Sequence, residues 1–185
     1  MHWTTKTLQD RLETATNDCL NASTSVSDAV FFDNSNGKWS IGENLIHLQK
    51  SAKRLCGALA LPKEQIANFG LATKPSRTYE AMKDDYVEAL KSDFVVPKAF
   101  TAEQTADDTR PSVLSAYTQS HANLNALIPN FSETDLDTYQ IPHPRLGLLT
   151  LREMLYFMVY HIGHHQKAVD RIVLVFTNFS SSFPQ

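Results

Sequence analysis

Apolar side chains recur along this chain at the spacing of helices, in four long blocks and one shorter one. Leu8, Leu12, Ala15, Cys19, Ala22 and Val26 follow one another in alternating steps of four and three, the rhythm of a single helix face. Ile41, Leu45, Leu48, Ala52, Leu55 and Leu59 repeat that rhythm. A third stripe holds Leu114, Tyr117, His121, Leu124 and Ile128, and a fourth holds Met154, Phe157, Met158, His161, His165, Ala168 and Ile172. The shorter block, from Ser76 to about Leu90, places Tyr79, Met82, Tyr86 and Leu90 on one side. No stretch alternates apolar and polar residues well enough to predict a strand.

Local signals mark where these helices begin and end. Ser40-Ile-Gly-Glu43 and Thr150-Leu-Arg-Glu153 are capping boxes, in which the hydroxyl and the carboxylate each accept from the other residue's amide. Trp39 precedes the first box in staple position. Pro111 suits a first helical turn, and Ser132 to Asp135 suits a short helical turn. Asp33-Asn-Ser-Asn-Gly37 reads as a turn, with Phe31 and Phe32 before it expected to close one end of the core. Leu61-Pro62 ends the second helix. About fifty residues then lead to the third, loop-like to Lys74 and irregular from Val95 to Arg110, a length that suits a crossover along a bundle. Ile141-Pro-His-Pro144-Arg-Leu-Gly147 reads as a rigid lead into the last helix. The pattern predicts an all-α fold. It is a four-helix bundle whose long crossover carries a shorter extra helix, with one domain over residues 1–176 and a loosely ordered tail over 177–185.

Composition narrows the function classes. The chain has 185 residues, of which 42% are hydrophobic and 20% charged, with a net charge of −3. It has no basic excess for nucleic acid or an anionic membrane and no apolar run long enough to span a bilayer. Two cysteines, Cys19 and Cys56, form neither a CxxC motif nor a disulfide framework, which suits a reducing cytoplasm. No signal peptide is visible, so the sequons at Asn21 and Asn178 carry no implication. Glycine-rich phosphate loops and nucleophile elbows are absent.

The candidate chemistry is histidine. His161 and His165 lie one turn apart in the middle of the apolar stripe of the last helix, where a buried ring needs a hydrogen-bond partner or a metal. Spacing alone leaves both readings open. His164 projects to one side, as a flank or supporting residue. His47 lies beside the stripe of the second helix, in line with Asn44, Ser51 and Arg54, at the boundary of the core. His121 reads as a core or near-site residue and His143 as a loop residue. Tyr156 and Val159 are apolar for the outer side of the last helix, and a patch there would make a homodimer face.

Three segments together resemble the DinB superfamily. They are Lys38-Trp-Ser-Ile-Gly-Glu43 continuing to His47-Leu48, Pro142-His-Pro-Arg-Leu-Gly147 continuing to Glu153, and Tyr160-His-Ile-Gly-His164-His165. The resemblance implies an up-down-down-up bundle and a divalent metal, zinc or nickel, held by His47, His161 and His165. It also implies an open metal position and a small-molecule substrate, in the manner of S-transferases that act through low-molecular-weight thiols such as bacillithiol. Glu43 is either a supporting partner for His47 or only a cap. Two other readings remain: a hydrolase using metal-bound water, and a non-enzymatic stress or binding bundle.

Overall fold

The computed structural model describes residues 2–93, 97 and 100–181, with side chains to residue 176. Its long helices are α1 (Thr5–Thr24), α3 (Ile41–Leu59), α6 (Arg110–Leu127) and α8 (Leu151–Ser181). Shorter ones join them: α2 (Asp28–Phe31), α4 (Lys63–Ala67), α5 (Tyr79–Ala89) and α7 (Glu133–Thr138). The expected caps are present. Glu43 N donates to Ser40 Oγ (3.0 Å) and Ser40 N to Glu43 Oε2 (2.7 Å). Thr150 N donates to Glu153 Oε2 (3.0 Å) and Glu153 N to Thr150 Oγ1 (3.2 Å). Each such cap contributes about 1 kcal/mol and sets where its helix starts.

Cross-helix contacts give the direction of each long helix. Gln9 bonds Asn125 O and Tyr117 Oη bonds Thr16 O, so α1 and α6 run antiparallel. Trp3 meets Tyr156 at one end of α1 while Cys19 faces Asp170 at the other, so α1 and α8 run parallel. Asn44 reaches His165 and His47 reaches His161, which makes α3 antiparallel to α8. Phe31 packs on Gly42 and under the Arg110 guanidinium, and Cys56 meets Ser120 O, so α3 and α6 run parallel. The bundle is therefore up-down-down-up, as the resemblance implied. Helix α1 packs on α6 and α8, and α3 packs on the same two.

Several local expectations change. In α1, Thr16 and Ser23 are buried, while Ala15 and Ala22 pack against the core only partly buried. The Thr16 and Ser23 hydroxyls bond Leu12 O and Cys19 O, both at 2.7 Å, which lets them enter the core at little cost. The segment after Pro62, expected as loop, forms α4. The rigid lead is a β-hairpin: β1 (Gln140–His143) pairs antiparallel with β2 (Gly147–Thr150). Its strands are too short to show alternation, and Pro142 is tolerated because a two-stranded ribbon is all edge. The loop closes on Gly147, whose φ of 73° suits glycine. Helix α8 continues past Val175 to Ser181, and 182–185 of the expected tail lie outside the described residues. So do 95, 96, 98 and 99 of the stretch expected to be irregular.

The side of α8 away from the centre is covered over its first two turns, although Lys167 and Asp170 further along are exposed. Arg152, on that side, is only 2% exposed. Its guanidinium bonds Trp3 O (2.6 Å), Asp137 Oδ1 (2.6 Å) and Glu133 Oε2 (2.9 Å), tying the N-terminus and α7 to α8. Tyr156 is fully buried with its ring against Trp3, and Val159 packs against the core. The residues offered as a homodimer face are thus used inside the protein, in the contact with α1.

Candidate metal centre

Two helices bring three imidazoles together. His47 on α3 and His161 and His165 on α8 place a ring nitrogen each within 4.8 Å of the others, and all three are buried. The i,i+4 spacing stacks the α8 pair on one face, and the antiparallel run of α3 brings His47 across to it. His161 Nε2 lies 3.0 Å from His47 Nε2 and 3.1 Å from His165 Nε2.

The outer nitrogens set the protonation. His47 Nδ1 is 2.6 Å from Phe100 O. A carbonyl only accepts, so Nδ1 carries the proton and Nε2 is a bare lone pair. Asn44 Nδ2 donates to Ser40 O (2.7 Å), which turns Asn44 Oδ1 towards His165 Nδ1 at 2.7 Å. His165 therefore also presents a bare Nε2. Both lone pairs point at His161 Nε2, and a proton there could satisfy only one of them. With its proton on Nδ1, which is buried without a partner among the described residues, His161 adds a third converging lone pair. A divalent cation resolves that conflict, so the donor set fits a metal.

Burial keeps the rings neutral. It holds His161 and His165 well below the ordinary imidazole value, reinforced by the neighbouring histidines. His47 is lowered chiefly by burial, against the bond to Phe100 O. Neutral imidazole is the form that ligates.

The triad forms one wall of a cavity of about 490 Å³ between α3, α5, α8 and the hairpin. Trp39 stacks on His165 (centroids 5.8 Å, 15° between planes) and Phe157 on His161 (4.8 Å, 23°). Leu55, Ala58, Met154 and Met158 extend the apolar lining, and Arg54 and Arg145 also line it. No Asp or Glu lines it among the described residues.

The remaining candidates separate. His164 lines the cavity half-buried, with its ring 5.3 Å from that of His165. His143 lines it from the hairpin. Glu43 does not support His47: its carboxylate accepts from Ser40 N and Asn34 Nδ2, so it is a cap. His121 is a core residue, buried on α6 with Nδ1 donating to Tyr117 O (2.8 Å) and absent from the cavity wall. His47 itself is 7% exposed, with Asn44 and Ser51 buried beside it. The polar line of α3 is thus the face that meets the centre rather than the edge of the core. Asn44, the Phe100 carbonyl, Phe157 and Arg145 were not foreseen as site groups. Asn44 and Phe157 left a sequence signal, Asn44 by lying on the same line of α3 as His47 and Phe157 by lying one turn before His161 on the stripe of α8.

An antiparallel α3/α8 pair carrying a buried three-imidazole cluster beside an open cavity defines a helical bundle compatible with a metal-dependent enzyme. The profile of the DinB superfamily matches residues 2–169. The chain belongs to that superfamily. No curated protein and no solved structure matches it. No helix among the described residues is long and apolar enough to cross a membrane.

Proposed function

We propose that this protein is a divalent-metal-dependent transferase that acts through a small thiol in the reducing cytoplasm. His47, His161 and His165 would hold the ion, with zinc or nickel suited to an all-imidazole set. The observation that carries the reading is the convergence of three neutral Nε2 lone pairs beside a cavity wide enough for a small molecule. Three protein ligands leave a position for an exogenous one, the pattern of a catalytic rather than a structural centre. A divalent ion there would supply Lewis acidity, favouring the thiolate form of a thiol at neutral pH.

The chain's own groups position and shield. Asn44 and the Phe100 carbonyl fix the ring planes of His165 and His47. Trp39 and Phe157 cover the triad with apolar surface and limit water. The described lining holds no carboxylate base, which favours a thiol over water, because a thiol is intrinsically much more acidic and releases its proton to solvent with less assistance.

The test is metal analysis of untagged protein, wild type beside His47→Ala and His161→Ala, followed by turnover of an electrophile with and without added thiol. Near-stoichiometric zinc or nickel lost in both variants, with turnover that requires the thiol, is the expected result. Turnover without thiol would make the protein a hydrolase. Failure to bind metal even after zinc or nickel is added would overturn both readings and leave a binding bundle.

A further inference from the structure

His143 lines the same cavity as the triad without belonging to it. Phe157 lies between them, its ring 4.3 Å from His143 on one side and 4.8 Å from His161 on the other. Inside the hairpin loop, His143 Nδ1 accepts from Arg145 N (3.2 Å) and Leu146 N (3.1 Å). Backbone N–H groups only donate, so Nδ1 is bare and the ring proton sits on Nε2. This is the opposite tautomer to His47 and His165. His143 Nε2 has no hydrogen-bond partner among the described residues and is not sealed from solvent.

That N–H is therefore a donor offered to whatever fills the cavity. It is also locked. A second proton would have to enter at Nδ1 and break both loop bonds. Burial, with the Arg145 cation beside it, pushes the ring down to about 4. His143 is thus a donor and not a base at neutral pH.

The charge of the wall indicates what the donor meets. No Asp or Glu lines the cavity among the described residues, while Arg54 and Arg145 do. The Arg54 guanidinium lies 4.7 Å from the Phe100 ring centroid, held at the wall rather than paired with an acid. The rest of the lining is largely aliphatic and aromatic. Positive rim charge over an apolar wall suits an anionic group on an apolar body.

We propose that the cavity selects a substrate bearing a carboxylate, and that His143 Nε2–H donates to that carboxylate while the reacting group lies at the three-histidine centre. The proposal rests on the functional reading above for the second half only. A charge-assisted hydrogen bond of this kind corresponds to roughly a ten- to hundredfold preference.

The probes are ω-mercaptocarboxylates of increasing chain length and the matched ω-mercaptoalcohols, bound to zinc-treated and to metal-stripped protein. The readout is the affinity ratio of acid to alcohol, because loss of the metal weakens both thiols together. The diagnostic variant is His143→Asn. Its Oδ1 can accept from the Arg145 and Leu146 amides in place of Nδ1, as Asx turns do, but it has no group at Nε2. Wild type should prefer the carboxylate at least about tenfold at the best chain length. His143→Asn should keep its melting temperature and metal content and lose the preference. Nitrogen-15 spectra of the wild-type imidazoles give an independent reading: His143 should be protonated at Nε2, with a signal that moves on adding the acid and not the alcohol. A ratio near one in wild type, a ratio unchanged in His143→Asn, or an Nδ1-protonated His143 would each overturn the proposal. If zinc does not bind, the functional reading fails by itself, and the ratio and spectra of the stripped protein still decide the role of His143.

Discussion

Asn44 offers the most discriminating perturbation of the centre, because it touches no metal-facing atom. It is 2% exposed, and its side chain makes two close bonds, Nδ2 to Ser40 O and Oδ1 to His165 Nδ1, both 2.7 Å. Asn44→Ala removes both. Ser40 O stays satisfied, since it also accepts from Asn44 N at 3.1 Å. Trp39 O loses a longer contact with Nδ2 (3.4 Å), and the donor left without its partner is His165 Nδ1–H. An orphaned buried donor costs about 1–3 kcal/mol, and the His165 ring loses the contact that fixes its tautomer and plane. Removing such an outer partner lowers metal affinity typically about 10- to 100-fold, or about 1.4–2.8 kcal/mol at roughly 1.4 kcal/mol per factor of ten. Competition for zinc against a chromophoric chelator measures it directly, with His47→Ala as the loss-of-ligand control and His121→Ala as a core control. Asn44→Ala should fall between wild type and His47→Ala, and His121→Ala should bind zinc as wild type does. Affinity unchanged in Asn44→Ala while His47→Ala fails to bind would refute the claim that Asn44 orients His165.

Two further predictions concern stability. His121 is buried and pushed down to about 4 from the ordinary 6.5. The unfolded chain therefore takes up this proton first as pH falls, so stability is unaffected above about 6.5 and declines between about 6.5 and about 4. In metal-stripped protein, His121→Phe should lose less stability than wild type across that window in urea titrations, and parallel losses would remove His121 as a cause. Arg152→Met leaves Trp3 O, Asp137 and Glu133 without the guanidinium that joins them. A loss of about 1–3 kcal/mol is expected from the buried hydrogen bonds given up, because the carboxylates left behind are 54% and 37% exposed, and a change below about 0.5 kcal/mol in chemical unfolding would show that the network contributes little.

Much of the bundle was legible because helix periodicity and capping are local. The stripe of α3 and its capping box needed only the residues from Trp39 to Leu59. The i,i+4 pair His161 and His165 could likewise be seen on one helix face. His47 was legible as a boundary residue, and only the family resemblance made it a partner of residues more than a hundred positions away. The hairpin was hidden because two four-residue strands, one containing Pro142, carry too few alternating positions to register. Tyr156 was misplaced because the start of α8 that looks solvent-facing in an isolated helix is covered by α1 and α7.

By itself, the sequence determined where the long helices lie, most of the residues they bury and which histidines are candidates, since these follow from spacing of about 3.6 residues per turn. Only the tertiary structure decided how the candidates divide. The antiparallel α3/α8 pair puts His47 beside His161, the orientation of Asn44 and the Phe100 carbonyl leaves bare nitrogens facing inward, and the hairpin loop fixes His143 in the opposite tautomer. His121, equally placed on an apolar stripe, faces Tyr117 and stays in the core. A ring's protonated nitrogen is set by the group it meets across the fold, and no periodicity along the chain encodes that meeting.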